Sequence, residues 1–131
     1  MSDKICKEFQ DTVSEYLIRH KSIIDVMSKL QEATAHVNRA ISKAVTSCGC
    51  LKIKASKQPI PKDATLSEIS EYVRTHLEGK LCPNCLEAIE AELGNTMFYL
   101  AATCTLLDLD LEKIITHENN RISTLGVYSL T

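Results

Sequence analysis

The sequence predicts an all-α fold, a bundle of four to five helices forming one domain over residues 1–131. Three observations predict it. Apolar residues recur at steps of three and four along most of the chain, the signature of helices with one buried face. Helix-start signals, Ser22, Thr65, Cys82-Pro83 and Asp110, stand immediately before those stripes. Only 4 Gly and 3 Pro occur, too few for the many tight turns of an all-β fold, while 44% hydrophobic residues are enough for a single core.

Taken in order, Ile5, Phe9, Val13, Tyr16 and Leu17 predict a first amphipathic helix from about Asp3 to His20. Cys6 sits near its start and reads as an ordinary free thiol. Ser22 and Asp25 open a second helix, the hydroxyl accepting a backbone N–H and the carboxylate favouring the positive helix end. Its stripe is Ile23, Met27, Leu30, Thr34, Val37, Ile41 and Ala44/Val45, which carries it to about Thr46. Its other face holds Asp25, Lys29, Glu32, His36, Arg39 and Lys43. Residues 51–80 are an inserted connector plus a short helix. The connector is Lys-rich with Pro59 and Pro61, and the alternation Leu51-Lys-Ile53-Lys is compatible with a short extended piece. Thr65-Leu-Ser-Glu68 has the form of a capping box, and Leu66, Ile69, Tyr72, Val73 and Leu77 predict a third, shorter helix stopped at Gly79.

The long fourth helix, from Cys82-Pro83 to near Asp108, is the most informative stretch. Leu86, Ile89, Leu93, Met97, Leu100, Cys104 and Leu107 form the stripe expected to face the core. The opposite face, with Ala88, Tyr99, Ala102 and Leu106, is apolar too. A helix apolar on nearly all sides is buried on nearly all sides, so a cover from another helix or a second subunit, hence a homodimer, is expected. Glu92 and Asn95 lie one turn apart on that second face. If enclosed, they need partners, and such a pair can bind a metal or ligand inside a bundle. Asp110 caps a last helix with Leu111, Ile114, Ile115 and Ile122 on its apolar side, and Gly126 releases a tail to Thr131. His20 and His76 read as surface residues, and Cys104 as packing.

The formal charge of −2 gives no basic footprint for DNA or RNA. No signal-peptide h-region or membrane-spanning run is visible, so a cytoplasmic protein is expected. In that compartment the 6 Cys stay reduced. Cys48-x-Cys50 and Cys82-x-x-Cys85 supply four thiols from two segments, a pattern that points to metal rather than disulfides. Structural zinc fits best, with an iron–sulfur cluster, a redox pair and uninvolved thiols as the alternatives.

Glu92-Leu-Gly-Asn95, Phe98-Tyr-Leu-Ala-Ala102 and Leu109-Asp-Leu-Glu-Lys113 together resemble the third and fourth helices of the MazG-like all-α nucleotide pyrophosphohydrolases. Leu30–Ile41 resembles that family's second helix. The resemblance implies a MazG-like bundle and a divalent-metal site on nucleotide, built from Glu32, His36, Glu92 and Asn95. Ala33 stands where the family has a second Glu, His36 where it has a third, and Asn95 where it has Asp. Two anionic ligands hold Mg²⁺ poorly, and a Glu/His set suits Mn²⁺, Zn²⁺ or Fe²⁺ better. Read alone, Glu32 and His36 also fit a solvated i, i+4 pair. Asn120 and Arg121 in His117-Glu-Asn-Asn-Arg121 resemble the segment with which the family holds phosphate, and they equally fit an exposed helix end.

The implied antiparallel pairing places His36 opposite Glu92. Cys48 then lies about 18 Å along one helix and Cys85 and Cys82 about 10–15 Å along the other, in the same direction. The resemblance thus implies a divergent, metal-depleted nucleotide pyrophosphohydrolase with a structural metal site of four cysteines. A non-catalytic nucleotide-sensing or protein-interaction module is the alternative.

Overall fold

A computed structural model of the chain describes residues 4–126. Among these residues the chain forms α1 (Ile5–Tyr16), α2 (Ile23–Lys43), β1 (Leu51–Ile53), β2 (Leu77–Gly79), α3 (Pro83–Leu106) and α4 (Leu111–Leu125). The fold is mostly helical, as expected. Asp3 and the tail 127–131 lie outside the described residues.

Most helix starts follow from side-chain chemistry read in the sequence. Ser22 accepts the N–H of Ile24 at 3.3 Å. Asp110 Oδ1 accepts the N–H of Glu112 at 2.9 Å and of Lys113 at 3.4 Å. Cys82 caps α3 with its sulfur, and Pro83 fills the first turn. Each satisfies donors that the helix itself leaves unpaired.

The predicted third helix does not form as an α-helix. Residues Leu66–Glu71 make a 3₁₀ segment, and Leu77–Gly79 is a strand. β2 pairs antiparallel with β1, Leu51 opposite Gly79 and Ile53 opposite Leu77. Two competing interactions explain the correction. Gln58 takes the backbone of Arg74, accepting its N–H at 2.7 Å and donating to its carbonyl at 3.0 Å. Thr65 pairs its hydroxyl with that of Ser67 at 3.3 Å and caps nothing. Gly79 is therefore not a helix stop. It sits at φ 87° against the carbonyl of Cys50, where any Cβ would collide.

α2 and α3 pack side by side and antiparallel, since the C-terminal end of α2 meets the start of α3 at the cysteines. Val13, Leu17, Val26, Ala33, Tyr99, Ala101 and Ala102 form the core, with Phe9, Leu30, Phe98, Leu106 and Leu111 against it. α1 is fastened to the far end of α3 by Gln10. Its amide donates to Leu109 O at 2.8 Å, and its carbonyl accepts the N–H of Leu111 at 2.9 Å. Ser14 and Thr105 share a hydroxyl–hydroxyl bond of 2.8 Å beside it.

The apolar stripe of α3 is reversed from expectation. Ile89 and Cys104 are buried, but Leu86, Leu93, Met97, Leu100 and Leu107 are exposed. The face that holds Tyr99 and Ala102 is the one that packs. Periodicity along a helix that is apolar all round does not choose between faces. The choice falls to the neighbours, and α2 and α1 take the side with small residues, where helices approach closely. α4 has no buried residue, and Ile114, Ile115 and Ile122 remain about half exposed.

Candidate metal centre

The long α2 ends in a π-type turn, Ala44–Cys48, closed by Gly49 at φ 82°. Gly49 returns its N–H to Ala44 O at 2.9 Å, which turns Cys48 and Cys50 back toward the helix end. The β1–β2 pairing then carries the chain back, so that Cys82 and Cys85 arrive on the first turn of α3. The four sulfurs of Cys48, Cys50, Cys82 and Cys85 lie within 4.8 Å of one another and can hold a metal ion. All of the cysteines are free thiols.

The donor chemistry fits a tetrahedral thiolate site. Cys48 Sγ and Cys82 Sγ are 3.7 Å apart. That is much longer than a disulfide bond, and close to the roughly 3.8 Å edge of a tetrahedron with Zn–S bonds of about 2.3 Å.

The thiols are electrostatically unequal. Cys82 accepts the backbone N–H of Cys85 at 3.4 Å. This bond, with the Cys85 thiol hydrogen bond behind it, lowers the Cys82 pKa to about 7. Cys85, as donor to Cys82 and partly desolvated, is pushed up to about 12. Cys82 is thus ionised above neutral pH while Cys85 stays protonated. In metal-free protein near neutral pH, iodoacetamide should therefore modify Cys82 before Cys85. Peptide mass mapping that shows Cys85 reacting first would contradict this assignment.

Midway along the hairpin, His36 Nδ1 and Glu92 Oε2 face each other at 3.6 Å, as the antiparallel pairing implied. The other two residues do not join them. Glu32 turns to Lys29 at 3.4 Å, and Asn95 is exposed rather than enclosed. Ala33 is only 1% exposed and sits in the core. Among the described residues, the cysteines are the one group of three or more His, Cys, Asp or Glu able to hold a metal.

Asn120 and Arg121 line a shallow groove on α4 with His117, Thr124 and Leu125. Arg121 is already engaged by Glu118 through two bonds of 2.7 and 2.8 Å. Glu118 is held below the usual carboxylate range by this Arg121 pairing. A phosphate there would meet a guanidinium already neutralised by a carboxylate. His76 is half-buried rather than a surface residue, with φ 60° and an enclosed Nε2. His20 stacks edge-on against Tyr99, their ring centres 6.3 Å apart.

Gln10 and Gln58 are not legible as anchors in the sequence. A lone Gln carries no spacing signal, and only the fold shows which backbone groups it satisfies. No helix among the described residues is long and apolar enough to cross a membrane. Compared with known proteins, the chain matches no family model, and neither the curated proteins nor the solved structures give a match.

Proposed function

We propose that the chain is a zinc-stapled, homodimeric helical module of the MazG-like type, related to the nucleotide pyrophosphohydrolases, that binds nucleotide without hydrolysing it. The observation that carries the stapled part of the reading is the four-thiol cluster at the joined ends of α2 and α3, and its nucleotide-related part rests on the resemblance of Glu92–Asn95 and Leu109–Lys113. Four thiolates around one metal leave no open position for substrate, so the role of that metal is structural.

The depletion of the second site supports binding over turnover. Phosphoanhydride cleavage by metal needs several carboxylates to hold the ion beside the phosphates. Here Glu92 has only His36 across from it, and Glu32 is paired with Lys29. The 3.6 Å approach of His36 and Glu92 favours one second reading, a weak Mn²⁺-dependent pyrophosphohydrolase.

Phosphate release measured over a nucleoside triphosphate panel, with pyrophosphatase and either Mg²⁺ or Mn²⁺, separates the two. The expected result is no release above the protein-free blank, with nucleotide still raising the thermal midpoint. Turnover that Glu92→Gln abolishes would replace the first reading by the second.

A further inference from the structure

The four thiols of the cluster are not equally placed to meet an oxidant. Cys48 alone is exposed, while Cys50, Cys82 and Cys85 are half-buried. A thiol bound to metal is deprotonated outright, so access rather than acidity decides which sulfur is oxidised first. That sulfur is the one on Cys48. Facing it from the other segment, Cys82 Sγ stands 3.7 Å away. A disulfide holds its sulfurs at about 2.05 Å, so about 1.7 Å remains to be closed from 3.7 Å. Cys48 has room to turn that far. It ends the π-type turn beside Gly49, over which lies open space. Cys50, in the same segment, is turned elsewhere, its thiol donating to Ala44 O at 3.8 Å.

We propose that Cys48 and Cys82 form an oxidative modification site, at which peroxide exchanges the metal staple for a disulfide staple between the same two segments. This rests on the metal-staple reading and adds its regulation. The Cys48 thiolate attacks one oxygen of hydrogen peroxide, the O–O bond breaks, and hydroxide departs to leave a sulfenic acid on Cys48. The Cys82 thiolate then attacks that sulfur, forming the S–S bond and breaking the S–O bond, and a second hydroxide departs. Each sulfur has given up one electron and peroxide has taken both; protons from solvent turn the hydroxides into water. The metal keeps only Cys50 and Cys85, half of a tetrahedral set, and leaves.

Which sulfurs join decides what happens to the fold. Cys48 and Cys82 are 34 positions apart, one at the end of α2 and the other at the N-cap of α3. Their bond closes the same connector that the metal closes, so the hairpin stays fastened while the metal is lost. A bond within either pair, Cys48 to Cys50 or Cys82 to Cys85, spans no connector and leaves the two helices unlinked.

The zinc-loaded full chain treated with hydrogen peroxide tests the proposal, with metal analysis before the oxidant is added. Zinc release, followed with a chromogenic chelator, should keep pace with disulfide formation. Tandem mass spectrometry of non-reduced peptides should find Cys48 joined to Cys82, with Cys50 and Cys85 still open to alkylation. In excess chelator, peroxide-treated protein should melt about 10 °C above untreated protein, the effect of one cross-link over a connector of this length. Dithiothreitol should abolish that difference and, once chelator is removed, let zinc rebind. A chain that takes up no zinc would overturn the staple reading and this proposal with it. Zinc that peroxide does not release, any other cysteine product, or equal midpoints in chelator would overturn the proposal and leave the staple standing.

Discussion

Replacing Cys85 with serine is expected to lower the thermal midpoint by roughly 10 °C or more, the shift that about 3 kcal/mol produces in a domain of this size. The reasoning starts from how little else holds the hairpin. Val13 and Val26 are the largest side chains that are fully buried among the described residues. The buried residues of α3 cluster toward its C-terminal half, leaving its first turns to the cysteines. A structural metal contributes its binding free energy directly to folding, and clipping Cys50 to Cys82 also restricts the long connector in the unfolded chain. Serine at position 85 leaves three thiols, too few to fill the tetrahedron. Chelation of the unmodified protein should reproduce the loss, and zinc should reverse it. Cys6→Ser lies outside the cluster and serves as the comparison, with an expected effect within about 0.5 kcal/mol. Equal midpoints for Cys85→Ser and the unmodified chain would remove the staple from the account. Acid should act in the same direction as chelation, because thiolate ligands must lose their protons to bind metal.

A second large effect is expected from Ala33→Glu. The substitution restores the carboxylate that the MazG-like pattern places beside Glu32, so a reading from sequence pattern alone expects tighter Mn²⁺ binding. The packing predicts the opposite. Ala33 is 1% exposed in the core cluster with Val26, Tyr99 and Ala102. Glutamate there overfills the α2–α3 seam and forces a carboxylate into the apolar cluster of Val26, Tyr99 and Ala102. The variant should lose at least about 3 kcal/mol of stability, the combined scale of those two penalties. Gln31→Glu, two positions away on the exposed side, should be close to neutral. Circular dichroism against temperature, with Mn²⁺ titration by calorimetry, decides it. A stable Ala33→Glu protein that gains metal affinity would show that the seam opens, and would revive the carboxylate-rich site.

These two results bear on what is legible in the chain beforehand. The thiol cluster is, because Cys-x-Cys and Cys-x-x-Cys are metal-ligand spacings, and helix lengths bring the two pairs to one end once the antiparallel pairing implied by the resemblance is assumed. The caps at Ser22, Cys82-Pro83 and Asp110 are too, since each depends on its immediate neighbours. What stays hidden depends on distant partners. Thr65-Leu-Ser-Glu68 has the local chemistry of a helix start. Gln58 and strand β1, both remote in sequence, claim the backbone that helix would have used. The bare side of α3 differs from expectation for a related reason. Its apolar residues run around the whole helix, and which of them is buried is settled by where α1 and α2 pack, over Tyr99, Ala101 and Ala102.

The Gln10 anchor has a consequence for biosynthesis. Its partners Leu109 and Leu111 are 99 and 101 residues downstream. A chain made from its N-terminus therefore produces α1 well before the two backbone groups that Gln10 binds. Until residues 99–102 have been made, Val13 and Leu17 lack the Tyr99, Ala101 and Ala102 side of their cluster, which invites chaperone capture of the nascent polypeptide.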